Sequence, residues 1–421
     1  MRRAFRWSIA VAALAAATGC RDSGPITSPI TTLPRDLTPS EAHLIAVGND
    51  FAFRLFGEVA RESSPGANLF ISPLSVAMAL GMTYNGAAGT TEVAMRDVLG
   101  LTGMSLGEVN RSYRGVIELL RGLDPRVDFT LANSIWSRQG FTFEQAFLDT
   151  CHVYFDAEVR ELDFDSPNAA PTINGWVDDQ TRGKITSIVP DVIPGYIVMY
   201  LINAVYFKGD WVTQFDRSRT APGAFTLADG SVTTVPMMRY AHEAWVRTAG
   251  DADVQVLDLR YGGGAYSTTI VMPRDPAGMD ALLAGLTGAR WDAWMAALDS
   301  VRSGVVLPKF KLEYRLLMND VLKALGMGVA FVPCDQIDVP DCADLTRMRS
   351  QRDLYLSEVV HKTYVDVNEE GTEAAGVTSV GVGVTSAPPE IAVDRPFLFA
   401  IRERFSGTIL FLGRVMNPAA T

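Results

Sequence analysis

Cysteine and histidine are scarce in this chain, with 4 of each in 421 residues. A structural metal site needs pairs of such ligands at close spacing. Apart from Cys334 and Cys342 no Cys or His pair has that spacing, so no metal centre is expected. No cofactor is implied either. Dense Lys/Arg runs are also missing, and the net charge is -11. A nucleic-acid binder draws much of its affinity from neutralising phosphates. Nucleic acid, heparin and anionic membrane surfaces are therefore not expected as main partners; the acidic balance serves solubility. No internal repeat is visible. The apolar stretch Ile9–Ala17 is too short to span a bilayer as a mature helix.

That stretch reads instead as an export signal. Arg2 and Arg3 precede it, and Ala17-Thr18-Gly19-Cys20 follows. Small residues before a Cys resemble a bacterial lipoprotein cleavage site, at which the Cys20 thiol takes the lipid and becomes the first mature residue. Ala17 stands where Leu is usual, and an ordinary secretory signal with an incidental Cys fits the same residues. Residues 1–20 are expected to be the signal peptide, and 21–37, rich in Pro, Ser and Thr, a flexible tether. The expected location is the cell envelope, by lipid at the outer membrane or cell surface since Arg21 rather than Asp follows Cys20, or else extracellular. Export permits disulfides. Cys334 and Cys342 bracket a short loop, and a bridge is expected there ahead of metal binding. Cys151 lies in a helical pattern and reads as a buried thiol.

Residues 38–418 read as one large domain. Thr38-Pro39-Ser40-Glu41 is a capping box with Pro at the first helical position. Leu44, Val47, Phe51, Leu55 and Val59 then recur at helical spacing. A second helix is expected after Ser72-Pro73, others around 142–155, 167–180 and 316–326. Strands are expected over 127–135, 232–239, 253–260, 266–272 and 304–310, and over most of 355–367 and 391–416, with Ser406-Gly407 as a turn. The apolar run Tyr200–Phe207, interrupted by Asn203, reads as a strand buried on both faces. Helices dominate the first half and strands the second, which predicts an α+β fold with large antiparallel sheets, not regular βαβ alternation.

The segment Glu369–Glu390 is unusual for a connection. Sixteen residues, Ala374 to Pro389, carry no charge. Read with a period of two, Thr372, Ala374, Gly376, Thr378, Val380, Val382 and Val384 form one small or apolar face. The charge of Glu373 falls on the other face. This is a strand pattern with one face fit for a core. Gly376, Gly381, Gly383 and Pro388-Pro389 make it a poor permanent central strand. By pattern alone, an edge strand or an apolar linker fits as well.

The hinge Glu369-Glu370-Gly371-Thr372-Glu373-Ala374-Ala375-Gly376 and the later Val393-Asp394-Arg395-Pro396-Phe397 closely resemble the serpin family. Matching stretches run along the chain: Asn68-Leu69-Phe70-Ile71-Ser72-Pro73, Leu201-Ile202-Asn203-Ala204-Val205-Tyr206-Phe207-Lys208-Gly209-Asp210-Trp211, Leu307-Pro308-Lys309-Phe310 and Phe411-Leu412-Gly413-Arg414. The resemblance covers about residues 40 to 418, and with the leader it suggests a bacterial member of the inhibitory type.

It implies a serpin fold: a large antiparallel or mixed central sheet, smaller sheets, about eight or nine helices and an exposed reactive-centre loop near 369–390. It implies a suicide inhibitor of serine proteases, a monomer that holds its target as a covalent acyl complex. Insertion of the cut loop as an added strand is an established transition of this family. The expected sheet is the largest one. Burial of Val380, Val382 and Val384 would favour insertion by about 1.5–3 kcal/mol each, whereas one charge on that face would cost several.

The family's spacing places the scissile bond at Thr385-Ser386, or one residue earlier at Val384-Thr385. Small uncharged residues there suit elastase-like or subtilisin-like proteases. Ser72, Ser75, Asn203 and His361 match the polar cluster where the sheet opens, Trp211 the aromatic at the loop's entry, and Glu369 with Lys309 a hinge ion pair. The alternative within the family is a non-inhibitory binding or structural protein, which bulky or charged residues on the even face would indicate. They are absent. Gly103-Met104-Ser105-Leu106-Gly107 also matches the nucleophile elbow of hydrolases, but a helix-like stretch precedes it and nothing ties His43, His152, His242 or His361 to Ser105. The chain is not expected to be an enzyme.

Overall fold

A computed structural model describes residues 28–334, 341–372 and 390–420. The described helices are α1 (Pro39–Glu62), α2 (Pro73–Gly86), α3 (Gly89–Leu99), α4 (Leu106–Leu120), α5 (Gln145–Phe155), α6 (Ala169–Gln180), α7 (Met279–Ala284), α8 (Gly288–Ala297) and the single turn α9 (Asn319–Leu322). The strands begin with β1 (Leu69–Ile71), β2 (Val127–Arg138), β3 (Ala157–Leu162), β4 (Met199–Asp210), β5 (Phe215–Thr226), β6 (Val232–Tyr240), β7 (Ala244–Gly250) and β8 (Val254–Tyr261). They continue with β9 (Tyr266–Pro273), β10 (Asp299–Pro308), β11 (Phe310–Leu317), β12 (Val360–Val367), β13 (Gly371–Thr372), β14 (Glu390–Ala392), β15 (Phe397–Glu403) and β16 (Ile409–Val415).

The strands form a ten-stranded sheet, in the order β1-β16-β15-β9-β8-β7-β10-β6-β5 with β14 beside β10, and a six-stranded sheet ordered β11-β12-β13-β4-β2-β3. The fold is thus α+β with two large sheets. The main core lies between them and the early helices, and includes Phe51, Phe56, Phe70, Tyr261, Phe397 and Phe411. A second core on the other face of the six-stranded sheet joins Trp136 and Ile202 to Ile173 and Trp176 of α6.

Local chemistry explains the element ends. Thr38 accepts from the Glu41 amide while Glu41 takes the Thr38 amide at 2.8 Å, closing the capping box of α1. The α3 helix stops at Gly100, whose φ of +72° suits glycine. The β15–β16 hairpin turns at Gly407, with φ +78°.

Several boundaries differ from the sequence reading. Residues 304–310 are not one strand: Pro308 ends β10 in one sheet and Phe310 starts β11 in the other. The expected helix over 316–326 starts later, at Asn319, because Leu316 and Leu317 pair with His361 and Val360, and it runs on from α9 as a π-helical turn over Lys323–Met327. Strand β12 starts at Val360, not 355. Strands β3, β5 and β7 were not anticipated; the exposed stretches of β3 and β5 give little apolar signal. Strand β4 is not buried evenly on both faces: Leu201, Asn203 and Val205 are only half-buried, because they line a cavity.

Candidate functional site

The centre of the six-stranded sheet is built unusually. Strand β13 is antiparallel to β12 and also to β4, so β12 and β4 run parallel to each other on either side of it. Thr372 pairs with Val367 on one side and Gly209 on the other. Among the described residues, only Gly371 and Thr372 stand between these two strands. Among the described residues the sheet carrying the hinge is therefore the smaller of the two, which corrects the expectation of the largest sheet: β10 pairs with both β7 and β6 and so joins further strands into the other one.

Each described hinge residue is held individually. Gly371 is required by space, since a Cβ there would lie 2.1 Å from the carbonyl oxygen of Gly209. Thr372 is buried, and its hydroxyl bonds the Tyr261 hydroxyl at 2.7 Å. Asn368 makes the turn before it, its Oδ1 accepting from the amides of Glu370 and Gly371 at 3.2 and 3.3 Å. Glu369 accepts from Lys309 Nζ and from the Thr220 hydroxyl, both at 2.9 Å. The Glu369 side chain is 7% exposed and that of Lys309 44%. Burial alone would raise the Glu369 pKa, but Lys309, its own backbone amide and Thr220 outweigh it and hold the pKa below the usual value. Glu370 pairs with Arg217.

Trp211 caps this corner. Its indole donates to the Asn368 carbonyl at 2.9 Å and its amide to the Glu370 carbonyl at 2.7 Å. Its ring stacks on Tyr261 with centroids 4.4 Å apart. Trp211 thus holds the backbone leading into β13.

The polar cluster lies further along the same strands. The Ser72 amide donates to Nε2 of His361 at 2.9 Å, and the Ser72 hydroxyl to the Leu410 carbonyl at 2.8 Å. The Ser75 hydroxyl donates to the Asn203 carbonyl at 3.3 Å. The Asn203 side-chain amide donates to Asn133 Oδ1 at 2.8 Å, while its own Oδ1 is buried without a partner. All four anticipated residues come together, with Asn203 reaching Asn133 and not His361. An acceptor role for Nε2 puts the proton of a neutral imidazole on Nδ1. Burial lowers the His361 pKa to about 4. Beside the cluster, a cavity of about 550 Å³ opens between β4 and β12, lined by Tyr200, Leu201, Asn203, Val359 and His361.

Tyr261, Thr220, Asn368 and Asn133 were not anticipated. Asn368, a turn former between a strand and the hinge, carried a readable signal; the other three have neighbours only in the folded chain. Cys334 and Cys342 are joined by a disulfide, and Cys151 is buried, which pushes its thiol pKa up to about 12. Ser105 is the N-cap of α4: its hydroxyl bonds Glu108 at 2.6 Å in a capping box. Glu373, Ala374, Ala375 and Gly376, the bonds at Val384-Thr385-Ser386, and Cys20 lie outside the described residues.

The geometry defines the class: an α+β protein in which a sheet holds the two-residue strand β13 between two parallel neighbours. A family model described as Serpin (serine protease inhibitor) matches residues 46–418. Neuroserpin of Mus musculus is 35% identical over 362 residues, covering 83% of this chain and 86% of its own. Among solved structures, a thermophilic serpin, tengpin, in the native state is 30% identical, with TM-score 0.78 over 93% of this chain and 97% of its own. Human thyroxine-binding globulin complexed with thyroxine is 27% identical, with TM-score 0.79 over 90% of this chain and 99% of its own. The chain belongs to the serpin family, many of whose members are protease inhibitors that bind target proteases.

Proposed function

We propose that this serpin is inhibitory: a serine protease cuts its loop, and the loop inserts between β4 and β12 before the acyl-enzyme can hydrolyse. The observation that carries this reading is the seat of Thr372. Its side chain faces inward to Tyr261, and side chains alternate along a strand. Even-numbered residues beyond it would face the core, and from Ala374 to Val384 these are all small or apolar.

Register adds a specific expectation. Thr372 stands between Gly209 and Val367. Six residues on, an antiparallel strand places 372 + 6 = 378 between 209 − 6 = 203 and 367 − 6 = 361. Thr378 would then meet Asn203 and His361, where a hydroxyl can satisfy the unpartnered Asn203 Oδ1. The deeper valines, Val380 and Val382, would enter the cavity between the strands.

Thr385-Ser386, or Val384-Thr385, is the bond offered, to elastase-like or subtilisin-like proteases. The inhibitor acts as a monomer, tethered to the membrane through lipid on Cys20. The likeness to thyroxine-binding globulin supports a second reading, a carrier on the same scaffold. Mixing with elastase- and subtilisin-like proteases separates the two. An inhibitor gives a covalent complex that survives boiling in denaturant; a carrier gives cleaved chain alone, and that result would overturn the proposal.

A further inference from the structure

The middle strands of the ten-stranded sheet carry a concentration of positive charge that runs against the chain's net charge of -11. The strand register places it on one face. Arg247 of β7 pairs with Asp258 of β8, and Asp258 with Thr269 of β9. Arg260, two residues beyond Asp258, pairs with Ser267, which pairs in turn with Arg402 of β15. Residues two apart on a strand share a face, so Arg247, Asp258, Arg260 and Arg402 point the same way, and Arg404 follows Arg402.

Only part of this charge is neutralised. Arg402 and Asp258 form a buried ion pair at 2.9 Å, with Ser267 and Thr269 also donating to Asp258. Arg247 donates to the Leu298 carbonyl and Arg404 to the Gly264 carbonyl, neither of which carries charge. Nε of Arg404 is buried without an acceptor. No hydrogen bond or ion pair of the Arg260 side chain occurs among the described residues, although that side chain is half-buried. Glu403 accepts from the amides of Phe405 and Ser406, and Asp124 from those of Gly263 and Ala265; both keep their charge, and neither forms an ion pair with these arginines among the described residues. Burial lowers the Arg404 pKa first of all; Asp258 opposes this, while Arg260, Arg402 and Arg247 add to it, so Arg404 lies within electrostatic reach of three other guanidinium groups.

Four guanidinium groups around one carboxylate leave an excess of donors and charge in a partly water-excluded place. Guanidinium geometry matches tetrahedral oxyanions, and partial burial strengthens such bonds. We propose that Arg247, Arg260 and Arg404, organised around the Asp258–Arg402 pair, bind a phosphate-type oxyanion. The position suggests where such a group could come from. The Ile30 amide bonds the Gly263 carbonyl at 2.8 Å, next to the Gly264 carbonyl that holds Arg404. Ile30, near the start of the described residues, is thus anchored beside this face, and Cys20 is ten residues upstream of it in the sequence. A phospholipid headgroup and free phosphate share the required chemistry.

The test uses the full chain and an Arg260→Gln variant, with Arg260→Lys as the charge-retaining control. Inorganic phosphate is titrated against sodium chloride at matched ionic strength, and the thermal midpoint and heat of binding are read. The expected result is a phosphate-specific rise in midpoint, with affinity about tenfold weaker in Arg260→Gln and partly restored in Arg260→Lys. Sedimentation with phosphatidylglycerol vesicles, against neutral phosphatidylcholine vesicles, is run on a Cys20→Ala background to remove any lipid. Vesicle binding that Arg260→Gln abolishes assigns the headgroup; phosphate binding without vesicle binding assigns the free ion. The proposal fails if phosphate acts no differently from chloride and anionic vesicles are not bound. It also fails if Arg260→Gln changes neither response.

Discussion

The backbone amide of Ser72 donates to Nε2 of His361 across the interface between α2 and β12, and this bond exists only while the imidazole is neutral. Protonation would replace the acceptor with a donor facing another donor. It would do so in a fully buried place, where a charge is costly.

The pH dependence follows from the sign of the shift. The folded pKa of His361 is about 4, below the ordinary 6.5, so the unfolded chain binds the proton more readily. The contribution is complete above about pH 6.5 and is lost as pH falls toward 4. Its size at neutral pH is about 3 kcal/mol. The denaturation midpoint of wild type should fall through this window, and that of His361→Asn should fall less steeply. Denaturant melts from pH 7.5 to 4 check this.

Lys309→Met should destabilise the hinge seat by about 1 kcal/mol at pH 7, a modest figure because Lys309 is partly exposed and screened. Glu369 has a depressed pKa, so its stabilisation is present above the unfolded value and lost as pH falls through the folded one. The difference between wild type and variant should therefore shrink in acid. Paired melts at pH 7 and pH 3.5 measure it.

Thr378→Glu should convert an inhibitor into a substrate. A carboxylate arriving between Asn203 and His361 would have to be desolvated at a cost of several kcal/mol. Loop cleavage should continue at the wild-type rate, while the boiling-resistant complex falls at least tenfold. Densitometry of denaturing gels against protease concentration gives both quantities.

Ser105→Ala should lower stability by about 1 kcal/mol through loss of the α4 cap and leave protease inhibition unchanged. If the variant also lost an esterase activity present in wild type, Ser105 would have a role beyond capping.

Much of the site was legible in the chain. The capping box at Thr38 and the Ser72 cap at the start of α2 are local patterns, because the atoms that bond lie within one helical turn. The period of two through residues 372–384 was readable for the same reason. The resemblance at Ser72, Ser75, Asn203 and His361 pointed to a cluster, and the folded chain brings these residues together. Tyr261 was not legible: it stacks on Trp211 and bonds Thr372, 50 and 111 positions away respectively, and nothing in its own neighbourhood marks it. Ser105 shows the reverse error, since a short motif suggestive of a nucleophile is occupied by its helix cap.

The sequence by itself determined the α+β class, the one uncharged segment able to become a strand, and which of its faces suits a core. These depend on alternation and on neighbours a few residues apart. Only the tertiary structure decided that the smaller sheet carries the hinge, that β12 and β4 run parallel around Gly371 and Thr372, and that Arg247, Arg260 and Arg404 share a face. Such facts depend on strand order and on pairing between residues far apart in the chain, and side-chain chemistry along a single segment does not specify either.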